Sequence, residues 1–151
     1  MTLIPHDSLD WLVAMLREGM AYYRHASEHV ADPEVTRAFA LAARTRGLIL
    51  SDLRAIGAIS DPESPSDTAA ALATAPPQHR YDVLQQQFDP AHPELQAQAL
   101  VSRELASIRL IESVFRSNPS MAIRRVMKAH FPQVQEVTRV MQRLAHRDLA
   151  A

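Results

Sequence analysis

Apolar residues return at three- and four-residue steps along four stretches of this chain, the period of a helix with one buried face. Leu9, Leu12, Leu16, Met20, Tyr23, Ser27 and Val30 predict a first helix over about residues 8–30, behind the capping types Asp7 and Ser8. Asp32-Pro33-Glu34 then ends that helix and opens a second. Asp caps, Pro fits the first turn, and Glu complements the positive end of the dipole. The second helix turns Val35, Phe39, Ala42, Ala43, Arg46, Ile49, Leu50, Leu53 and Ile56 inward and stops at Gly57. A third, over about 93–116, aligns Ala97, Val101, Glu104, Ile108, Ile111 and Phe115. Asn118-Pro119-Ser120 separates it from a fourth over about 121–147. There Ile123, Val126, Met127, His130, Val134, Val137, Met141 and Leu144 face inward and Pro132 predicts a bend.

Residues 57–93 have a different texture, punctuated by Asp61-Pro62, Ser64-Pro65, Pro76-Pro77 and Asp89-Pro90, with room for short helices near 68–75 and 78–88. Hairpin, long crossover, hairpin is the connection of a ferritin-like four-helix bundle. The expectation is therefore an all-α fold forming one domain over residues 1–151.

Composition agrees: 47% of residues are apolar but only 5% aromatic, and three glycines occur in all. That mix suits helices better than strands. A formal charge of −1 gives no global attraction to nucleic acid or acidic membranes. Cysteine is absent, which removes disulfides, thiolate metal sites and cysteine nucleophiles. The opening Met1-Thr2-Leu3-Ile4-Pro5 has neither a basic segment nor a sustained apolar run, so no membrane segment and a cytoplasmic location are expected.

Three ionisable residues sit on apolar faces near helix midpoints: Arg46, Glu104 and His130. Burying an unpaired charge costs several kcal/mol, roughly, so these residues are expected to meet in one network, with the Tyr23 hydroxyl taking a remaining position. Di-iron bundles place their metal at that depth, using a Glu on each of two helices and Glu-x-x-His on the other two. Here Met127 stands where the Glu partner of His130 belongs, Arg46 and Ile49 replace Glu and His on the second helix, and the first offers Met20 and Tyr23. A fixed guanidinium opposes a cation, so no cofactor is expected. The alternative is iron or manganese held by Glu104 and His130.

Gly19, Tyr22-Tyr23-Arg24 with Ala26 and Glu28, Asp32-Pro33-Glu34, Phe39 and Arg46, then Ser102-Arg103-Glu104, carry a family likeness. The chain resembles an uncharacterised bacterial domain-of-unknown-function family with a ferritin-like four-helix bundle. That resemblance spans most of residues 8–147 and implies a fold, the family itself offering no established activity. Met20 and His25 stand where the family tends to carry acidic residues.

His25-Ala26-Ser27-Glu28-His29 matches the pattern of inverted zinc peptidases, but helical phase points His25 away from the core and predicts a solvated face. Trp11, Met15 and Tyr22 form a second apolar stripe about 100 degrees from the core line, to be covered by the crossover or by a subunit interface. From Arg116 onward seven basic residues face two acidic ones, a net +5, yet no aromatics interleave, so nucleic acid is not the expected partner. No glycine-framed serine elbow and no glycine-rich phosphate loop occurs. These residues together predict a non-enzymatic interaction or stress-associated structural module that self-associates or binds another protein. The alternative is a metal-dependent oxidoreductase. A third reading, a small apolar ligand held between helices, requires a cavity.

Overall fold

The computed structural model describes residues 5–60 and 79–150, and every regular element among them is helical. Four long helices, α1 (Pro5–His29), α2 (Pro33–Ala55), α4 (Ala97–Ser117) and α5 (Met121–Ala150), enclose the core, with a short α3 (Asp82–Gln86) and a 3-10 turn (Pro93–Gln96) between the two pairs. The expected helix over 68–75 lies outside the described residues. None of the described helices is long and apolar enough to cross a membrane.

Local chemistry fixes the ends. Asp32 accepts hydrogen bonds from the backbone N–H of Glu34 and Val35 ahead of Pro33, the N-cap arrangement expected from the sequence. At the other end Ala58 N–H reaches the Leu53 carbonyl and Gly57 N–H reaches Arg54, a Schellman close that needs the left-handed φ of +75° at Gly57. Ser120 Oγ accepts from Ile123 N–H and opens α5. That helix continues through Pro132, whose missing N–H leaves one ladder bond unmade.

Side-chain contacts give the direction of each helix. Ser8 lies 3.4 Å from Ser113 at one end of α1 while Tyr22 donates to Gln96 near the other, so α1 and α4 are antiparallel. Asp52 meets His130, and Asp32 and Glu34 both meet Arg147, so α2 and α5 are antiparallel as well. The segment after α2 must therefore travel the length of the bundle before α4 begins. Its described part does this along α1: His79 lies against Trp11, Tyr81 against Tyr22 and Tyr23, and Phe88 against Tyr22 and His25.

Most of the predicted inward positions are buried, but α4 is turned by about one residue from its predicted phase. Its buried line is Ala97, Leu100, Glu104, Ser107, Ile111 and Val114, which leaves Val101, Ile108 and Phe115 half-buried at the edge. Both lines have helical period, so the sequence pattern does not choose between them. Contact with α1 on one side and α5 on the other does. Ile56, also predicted inward, is 42% exposed because α2 has already ended.

Candidate functional site

At mid-height of the bundle α2 projects Arg46 and α4 projects Glu104, each almost wholly buried. Arg46 Nη2 lies 2.6 Å from Glu104 Oε2 and 2.9 Å from Oε1, and donates at 2.7 Å to Tyr81 Oη. Ser107, one turn on from Glu104, stands 3.5 Å from the same nitrogen and donates to the Arg103 carbonyl. The guanidinium lies between two aromatic faces, 5.4 Å from the Tyr23 ring centre and 5.6 Å from that of Tyr81. Both contacts are within cation–π reach.

The room for this guanidinium comes from Gly19. A β-carbon on that residue would stand 2.8 Å from Arg46 Nε and 3.0 Å from Tyr81 Cζ, so α1 carries no side chain where α2 and the crossover press in. Burial opposes the Arg46 charge, but Glu104, Tyr81 and Tyr23 outweigh it and hold the group more firmly protonated than in water. Burial likewise pushes the Glu104 carboxyl up against the pull of Arg46. The pair stands ionised at neutral pH, because a guanidinium keeps its proton and donates to both carboxylate oxygens. Desolvation also raises the hydroxyls of Tyr22, Tyr23 and Tyr81, which stay protonated. Tyr23 Oη influences both charges, yet it makes no contact of hydrogen-bond geometry among the described residues.

Two residues expected in this network are placed differently from one another. Tyr23 is present as a packed ring over the guanidinium. His130 is elsewhere: its Nε2 lies 2.6 Å from Asp52, near the surface between α5 and α2. It sits on the edge of the α5 face, and an exposed carboxylate offers a partner that needs no desolvation. The position expected for His130 is filled by Tyr81, which falls within the short helix expected over 78–88 but stands just ahead of the observed α3, where no apolar stripe marked an inward face. The available signal was a tyrosine standing in a polar, proline-rich segment.

Glu104 and His130, the alternative metal pair, thus have separate partners, Arg46 and Asp52. Among the described residues no three His, Cys, Asp or Glu side chains gather as metal ligands would. His25 and His29 are exposed and their rings lie 4.2 Å apart on one outer face, with His29 Nδ1 against the His25 carbonyl. The space that opens beside the ion pair is about 10 Å³, enough for one water and no substrate.

The stripe nominated as a subunit interface is corrected in the same way. Met15 and Tyr22 are fully covered within the chain and Trp11 is half-covered. Tyr22 lies under Tyr81 and Phe88 and donates to Gln96, whose amide in turn donates to the Leu84 carbonyl. Within the chain the crossover covers Tyr22 and reaches Trp11 through His79, while Met15 meets Ser107 of α4.

Comparison of the chain with protein-family models, with curated proteins and with solved structures finds no match. Its own side chains therefore carry the functional argument.

Proposed function

We propose that this chain is a non-enzymatic interaction module built on a ferritin-like four-helix bundle, its centre closed by an ion pair in the space that metallated bundles give to iron. The observation that supports this reading is the Arg46–Glu104 contact, both groups almost wholly buried and without room for a reactant beside them. A buried pair of this kind adds little net stability but can fix which helix faces meet. Binding then falls to the outer faces. Metal analysis of the purified protein together with its visible spectrum tests the proposal: iron and manganese should be far below one per chain. Stoichiometric metal that disappears in Glu104→Ala would overturn it in favour of an oxidoreductase.

A further inference from the structure

The turn of α4 that leaves Phe115 at the helix edge also opens a cleft of about 540 Å³ between α4 and α5. Ile111 and Phe115 line it from α4, and Met127, Phe131 and Pro132 from α5. A volume of this size lies within the range of about 300–1,000 Å³ that holds small ligands. One helical turn about 10 Å across and about 5.4 Å long occupies roughly 420 Å³, so the cleft holds little more than a single turn of a docked helix. A slender apolar chain matches the space better than a second copy of this protein.

The mouth supplies the second half of the argument. Arg116 and Lys128 stand on opposite helices at its edge, both exposed, and neither is ion-paired among the described residues. Glu112 is the single acidic residue lining the cleft, and the exposed Arg125 adds positive charge on the same part of α5. Arg124 is occupied, donating to the Phe115 carbonyl while lying 5.3 Å over the Phe115 ring, which holds that ring at the cleft wall. An apolar floor with a net cationic rim complements a molecule that has an alkyl tail and one anionic head.

We infer that the α4–α5 cleft binds a single-chain alkyl carboxylate as a free monomer. This rests on the reading of the chain as an interaction module and names the ligand class of its second hairpin.

Laurate and lauryl alcohol, each titrated calorimetrically below the concentration at which it aggregates, test it. Laurate should bind saturably and shift the Met127 methyl resonance. The double variant Arg116→Glu/Lys128→Glu, both exposed positions, should weaken laurate about tenfold or more and leave lauryl alcohol unchanged. No laurate binding, equal weakening of both ligands, or a shift confined to other methyls would overturn the inference. So would a protein that ignores monomeric laurate and pellets with anionic vesicles. Preference for lauryl alcohol would remove the anionic ligand class but leave a binding module, whereas the module reading itself falls only with stoichiometric metal.

Discussion

Gly19 and Arg46 are in contact through an absence: no side chain on α1 separates the helix backbone from the guanidinium of α2, and a β-carbon there would be 2.8 Å from Nε and 2.9 Å from Cζ. The charge at the bundle centre, the tyrosine above it and the approach of the crossover all depend on that missing methyl group.

Gly19→Ala should therefore destabilise the fold even though it places a better helix former in a helix. The propensity gain is about 1 kcal/mol. Overpacking against a guanidinium held by Glu104 and a ring held by Arg46 costs about 1–3 kcal/mol. A net loss of about 1 kcal/mol in urea denaturation is the expected outcome, and an unchanged or increased midpoint would show that the guanidinium can move aside.

Removing one partner of the pair should cost far more than removing both. Glu104→Ala leaves Arg46 buried without its carboxylate and should destabilise by about 3 kcal/mol, whereas Arg46→Met combined with Glu104→Leu should recover most of that loss. Denaturation of the two singles and the double gives the coupling directly. A single-variant loss below about half a kcal/mol would mean that water reaches the site.

His79 provides an acid-sensitive contact with a built-in reporter. Burial, with a smaller contribution from the nearby Arg109 charge, holds its imidazole below the usual histidine range, and its Nδ1 is buried with no hydrogen-bond partner among the described residues. The folded state thus prefers neutral His79. Its contribution to stability is complete above the unfolded value of about 6.5 and is lost as pH falls through the lower folded value. Trp11, the single tryptophan, lies 6.3 Å from the ring, so its fluorescence should change with a midpoint below the ordinary histidine value. His79→Phe should abolish that transition, and Arg109→Gln should move it upward. A midpoint at or above the ordinary value would place the ring in solvent.

The sequence by itself determined the helices, because spacing and capping are local properties. Asp32-Pro33 opening α2, Gly57 closing it and the all-helical class follow from backbone chemistry within a few residues. It also determined that Arg46 and Glu104 face inward, since a charge on an apolar stripe has few other places to go. Tertiary structure alone decided their third partner. His130, the expected partner, went to Asp52 because it lies at the rim of the α5 face, while the crossover delivered Tyr81 from a short segment whose inward face the sequence did not mark. The exact turn of α4 was also beyond local information: two lines of apolar residues fit one helix, and only contact with α1 and α5 selected the one that buries Ser107 and leaves Phe115 beside an open cleft. Periodicity is set by the geometry of a single helix, but the choice among neighbouring phases is an energy shared between helices.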